Sequence, residues 1–217
     1  MNKSIFLIAI ALLTSATLLT GQISMTFTAG VSPQQSPNSN YIFVNRSSPR
    51  DEFTFDLAQV KASYYVGVGA KYNMEPFFLS AEAQYNKREY IYDVSYTFPE
   101  FGRTETTQKY NEYMNVINLP VNLGVDLGIV DVISGFVPQL IVSQQSELEN
   151  LIGYSQKLSR LRFGWQTGLA ANVDQLRIGV TYQMDFNNYA DHAYVRNQSL
   201  ELQGRSSRVL GTLSYQF

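Results

Sequence analysis

Residues 117–127 read Ile-Asn-Leu-Pro-Val-Asn-Leu-Gly-Val-Asp-Leu. Ile117, Leu119, Val121, Leu123, Val125 and Leu127 take every second position, with Asn118, Pro120, Asn122, Gly124 and Asp126 between them. Successive side chains of an extended strand point to opposite faces, so this stretch carries one apolar face and one small, polar face. A helix would scatter the same residues around its axis. The period of two recurs in both directions from here. Upstream it governs Ile23–Val31, Ala62–Tyr72 and Phe77–Tyr85; downstream, Leu161–Ala171, Leu176–Phe186 and Val209–Phe217. A further run, about Val132–Gln145, is more evenly apolar, and Pro138 weakens the case for its pairing. Eight strands result. Most are longer than the five or six residues usual in soluble sheets, and suit a tilted membrane crossing.

The composition agrees. The chain has 217 residues, 45% hydrophobic, 13% aromatic and 16% charged, against about 25% charge in an average soluble domain. That length fits one domain. The absence of cysteine excludes disulfide frameworks, thiol catalysis and cysteine metal sites. A net charge of −2 argues against nucleic acid as a partner. Residues 1–21 read as a secretory signal peptide: Lys3 supplies a positive start, and Ile5–Leu19 is an apolar stretch too short to span a bilayer as a helix. Residues 22–217 then form the mature domain, in which no run approaches 18 apolar residues.

The links between strands alternate in length. Short ones fall near Asn73–Pro76, Gly128–Asp131 and Val173–Gln175; long ones near Ser32–Val60, Glu89–Tyr110, Ser146–Ser159 and Asn187–Ser206. Short turns at one end and long loops at the other are the pattern of an outer-membrane up-and-down barrel, with periplasmic turns and extracellular loops. A soluble eight-stranded barrel also alternates, with its apolar face inward. The membrane version is favoured because the polar faces are built from Gly, Ser, Thr, Asn and Gln, small enough for a narrow interior. Tyr64, Tyr85 and Phe186 toward the long-loop end, and Tyr72, Phe77, Tyr215 and Phe217 toward the short-turn end, are then expected to form two aromatic girdles. The charges expected in the lumen are Lys71, Glu82, Arg88, Asp126, Arg162, Arg177, Asp185 and Arg208. In so narrow a space they read as a salt-bridged plug, with a selective pore or proton path as the competing reading.

Some of these stretches also resemble a known family. Val116-Ile-Asn-Leu-Pro-Val-Asn-Leu-Gly124 resembles the conserved Leu/Ile-Pro strand of the PorT-like outer-membrane barrels of Bacteroidota. Arg162-Phe-Gly-Trp-Gln-Thr-Gly-Leu169 with Leu176–Tyr182 resembles that family's glycine-rich strand pair, and Leu213-Ser-Tyr-Gln-Phe217 its closing signature. Asn118 stands where an acidic residue is common, so no role transfers to it. The resemblance implies that Phe217 engages the barrel-insertion machinery, and that membership of a type IX secretion assembly is an alternative function.

Signals for chemistry are few. His192 follows Asp191 in the last long link, but general-base catalysis needs an imidazole positioned against its orienting carboxylate, and adjacency in sequence supplies no such geometry. A single histidine also makes a zinc site improbable, since these usually take three or four protein ligands. Gly67, Gly69, Gly164, Gly168 and Gly179 lie inside strands, where they relieve crowding and form no phosphate loop. The Tyr90–Tyr110 link, with Tyr92, Tyr96, Phe98 and Phe101, is either a glycan- or protein-binding surface or an outward extension of two strands. The expectation is a non-enzymatic outer-membrane protein of a Gram-negative bacterium, without cofactor, acting structurally or through its extracellular loops. Its surroundings would be membrane lipid and lipopolysaccharide. A rim-active hydrolase and an uptake component are lesser alternatives.

Overall fold

The computed structural model describes residues 23–35, 40–44, 52–97, 105–151, 154–157, 159–188, 193–195, 198–199 and 205–217. The expected signal peptide and His192 lie outside them, as do Phe98 and Phe101. Among the described residues fourteen strands alternate with turns: β1 (Ile23–Ser32), β2 (Asn40–Val44), β3 (Glu52–Val60), β4 (Ser63–Met74), β5 (Phe77–Thr97), β6 (Glu105–Asn118), β7 (Val121–Asp126), β8 (Val130–Ser146), β9 (Tyr154–Gln156), β10 (Leu161–Val173), β11 (Leu176–Asn188), β12 (Ala193–Val195), β13 (Gln198–Ser199) and β14 (Arg205–Gln216).

Eight antiparallel staves close into a barrel. Around the ring run β1, β4, β5, the β6/β7 pair, β8, β10, β11 and β14, and β14 returns to β1 through Thr26–Val31 against Gln216–Gly211. Met25 and Phe217 exchange backbone hydrogen bonds of 3.1 Å at the seam. The stretch 117–127 is one stave in two pieces, since Pro120 has no N–H to give to the ladder. Its break is still tied on both sides: Leu119 N–H donates to the Pro138 carbonyl at 2.8 Å, and Glu82 N–H to the Pro120 carbonyl at 3.0 Å. Pro138 thus keeps its place in β8 by accepting a bond.

Burial follows the alternation with its sign inverted relative to a soluble barrel. Val68, Leu123, Ile178 and Leu213 are more than half exposed on the outer wall, while Thr28, Ser80, Asn122, Gln166 and Ser214 are buried inside. Phe78, Tyr65, Ile133 and Leu210 are apolar exceptions that fill the interior. Space there is tight. A Cβ on Gly124 would lie 2.1 Å from the Phe78 ring, so glycine is what lets that ring cross the lumen.

The turns at one end are as short as the sequence suggests: Glu75–Pro76 joins β4 to β5, and Asp174–Gln175 joins β10 to β11. Asp174 sits at φ 53°, a left-handed conformation that Asp tolerates. The β7–β8 turn is shorter than expected. Asp126 pairs with Asp131, which places Asp131 inside β8 and not in the turn.

The long links depart further from expectation. Glu89–Tyr110 is mostly strand: β5 runs 21 residues to Thr97, and β6 begins at Glu105 in register with it. Within Ser32–Val60, β2 and β3 form a hairpin that joins the same sheet beside upper β5. The Tyr-rich link is therefore the outward extension of two staves. The reason lies in what its inner face buries. Phe55, Leu57, Tyr90, Tyr92, Val94, Met114, Val116, Ile141, Leu148 and Leu151 form a hydrophobic core there. A 3-10 turn, Glu147–Asn150, closes this core with Leu148, and Asn111 binds Glu147 Oε2 through its backbone N–H (2.8 Å) and Nδ2 (2.9 Å). The other two long links meet in a small second sheet, β9–β12–β13.

Candidate functional site

Chemistry-bearing side chains gather in the lumen, in two layers of paired charges with a mainly amide and hydroxyl layer, holding Glu82, between them. At the short-turn end, Asp131 is fully buried and receives Lys71 Nζ at 3.4 Å and Arg177 Nη2 at 3.0 Å. Both cations also lie over the Phe78 ring, 4.0 and 5.6 Å from its centroid. One carboxylate and one aromatic ring thus share two cations, and the ring offsets part of the cost of burying the second.

In the middle layer Gln166 Nε2 donates to Asn122 Oδ1 (2.7 Å), Asn122 Nδ2 to Ser80 Oγ (3.3 Å), and Gln84 Nε2 to Glu82 Oε2 (2.8 Å). Thr28 and Ser214 join hydroxyls at 3.0 Å. A cavity of only ≈ 30 Å³ is left between these side chains.

At the long-link end Asp185 is the centre. Its Oδ2 accepts from Arg88 Nη1 at 3.3 Å; its Oδ1 accepts from Gln183 Nε2 at 3.2 Å and from Gln139 Nε2. Arg88 Nη2 donates to Gln139 Oε1 (2.8 Å) and Asn118 Oδ1 (3.3 Å), while Arg208 Nη2 donates to Gln183 Oε1 (2.9 Å). Side chains from five staves meet here, and each is delivered by the inward parity of its strand.

Of the charges expected inside, Lys71, Arg88, Arg177, Asp185 and Arg208 are buried in these two layers, and Glu82 is half-buried in the middle. Arg162 is half-buried on the inward face of β10 and has its own interaction. Asp126 departs from expectation. It is exposed at the mouth of the short-turn end, where its Oδ1 accepts the Gly128 N–H at 2.7 Å. Gly128 there adopts φ 91°, so the carboxylate caps a turn that only glycine adopts easily. Two further acids are buried, beyond those expected. Asp131, expected in a turn, lies in β8 with the inward parity of Ile133. Glu112 lies in the core above the barrel, fully buried, accepting from the Tyr92 hydroxyl at 2.9 Å and from Gln144 Nε2. Burial, and after it the Glu112 charge, push the Tyr92 phenol well up, so it stays protonated and donates.

On the outer wall Tyr64, Tyr72, Phe77, Tyr85, Phe186, Tyr215 and Phe217 are all exposed. Phe136, Phe163 and Trp165 add a patch between β8 and β10, the two Phe rings stacked at 5.3 Å. Among the described residues, no cluster of three or more His, Asp or Glu side chains is arranged to hold a metal ion.

No protein-family model matches the chain, and no curated protein matches it. Among solved structures, the transport unit of the autotransporter AIDA-I from Escherichia coli is similar, at 12% identity over 91% of each chain with a TM-score of 0.29.

Proposed function

We propose that this chain is an integral outer-membrane barrel, non-enzymatic, that acts through the sheet and links above its rim and not by conduction through its lumen. One observation carries this reading: the double switch along β5. From Phe77 to Tyr85 its outward residues are Phe, Leu, Ala, Ala and Tyr, and its inward ones are mainly polar. Beyond that point the outward positions become Lys87, Glu89, Ile91, Asp93 and Ser95, polar but for Ile91, while the inward ones, after Asn86 and Arg88, become Tyr90, Tyr92 and Val94. Lipid on the outside for the length of a tilted crossing, then water, accounts for two changes that fall within a few residues of each other. The lumen supports a closed role, because its charges bind one another and its central cavity is small.

Lipid and lipopolysaccharide would surround the aromatic girdles, and Phe217 would be read by the insertion machinery. A second reading, membership of a type IX secretion assembly, is supported by the PorT-like motifs at Val116–Gly124 and Leu213–Phe217. The test is fractionation of the producing cell, with gel mobility measured before and after boiling. Recovery in the outer membrane with heat-shifted mobility supports the barrel; a protein stable in the periplasmic extract without detergent overturns it. Co-purification of a stable large complex with the tagged barrel would favour the second reading over the first.

A further inference from the structure

We propose that the long-link end of the lumen binds one small inorganic anion, of halide size, between Arg88 and Arg208. Both guanidinium groups are buried, at 6% and 8% exposure. Asp185 is the carboxylate that serves them, directly for Arg88 at 3.3 Å and through Gln183 for Arg208. Two cations against one carboxylate leave a buried surplus of positive charge, which an interior of low polarity penalises. The donors are in surplus too. Arg88 Nε, Arg208 Nε and Arg208 Nη1 are buried without a hydrogen-bond partner.

These side chains line a cavity of ≈ 20 Å³, whose wall also includes Ser32, Ser63 and Ser206. Lys61 reaches the same wall but is already bound to Glu89, so that pair adds no net charge. The space suits one water or one monatomic ion. A water would satisfy donors and leave the charge; a halide does both, and a phosphate exceeds the space. The short-turn layer differs, because there the Phe78 ring faces both cations.

The test uses the full folded barrel in zwitterionic detergent at constant ionic strength, with chloride exchanged for gluconate, which is too large for the cavity. The unfolding temperature should rise by a few degrees with chloride and saturate, and the shift should vanish in Arg208→Gln, which removes the surplus charge and keeps a donor. Equal unfolding temperatures in chloride and gluconate, or an undiminished shift in Arg208→Gln, would overturn the site. Should that variant not fold, the chloride NMR linewidth of the wild-type barrel decides. Saturable broadening competed by bromide supports the site, and its absence sinks it.

Discussion

Asp131 sets the strongest expectation for a single side chain. It opposes Lys71 and Arg177 with no solvent to take its place, and removing one member of a buried ion cluster costs about 3–5 kcal/mol. Asp131→Asn should therefore lower the urea midpoint of unfolding by a margin that is easily measured through Trp165 fluorescence. Asp126→Asn, at an exposed turn, should stay within about 0.5 kcal/mol of wild type. Equal effects of the two substitutions would mean that Asp131 does not hold the lower layer together. Gly124 makes the complementary point about volume. Its missing Cβ is the room occupied by Phe78, so Gly124→Ala forces that ring aside at a cost of about 1–3 kcal/mol. Adding Phe78→Leu should restore part of the loss, because the two positions share one space. A purely additive double variant would contradict that contact.

Strand β5 carries two different pairs of faces along its length without changing its parity. Its inward parity is unbroken from Phe78 to Val94; only the chemistry changes, on the outward face at Lys87 and on the inward face at Tyr90. The β3 strand docks on the upper part, with Asp56 opposite Asp93, and Asp93 opposite Lys109 on the far side. Burial first, and then the Asp93 charge, raise the Asp56 carboxyl above its ordinary value of 3.8. A carboxyl whose folded-state pKa is raised favours the folded state when protonated. That contribution is complete below the unfolded value and is lost as pH rises through the folded one. The β3–β5 pairing should consequently be tightest in acid and loosen above about pH 4, the ordinary carboxylate range. Hydrogen exchange of β3 amides, corrected for intrinsic rates, reads this directly. Asp56→Asn should make their protection independent of pH in that range; a persistent pH dependence would assign the effect to other groups.

At the scale of the molecule, the outer wall decides the environment. Leu123 is 56% exposed midway along its stave, and an arginine on the lipid face near the bilayer midplane costs about 2–4 kcal/mol. Leu123→Arg should reduce heat-shifted, membrane-inserted protein, whereas in a soluble barrel the same change on an exposed position would be nearly silent. The alternation that defines this wall is local, since a strand's two faces are written in residues two apart. For that reason the amino-acid order alone was enough for the staves, their facing and the three tight turns at one end. It also placed Lys71, Arg88, Arg177, Asp185 and Arg208 on the inward side. Partnership was a different matter. Asp131 meets residues distant in the chain on both sides, and Asp185 gathers groups from staves that pack together only once the ring has closed. The same holds for the stretches that the sequence leaves as links, one of them with strand extension as an open alternative. Nothing within Glu52–Val60 or Tyr90–Thr97 says that each will find the other, because a strand's backbone groups are satisfied by a neighbour and not by its own segment. Periodicity can be read along a line; pairing exists only in three dimensions.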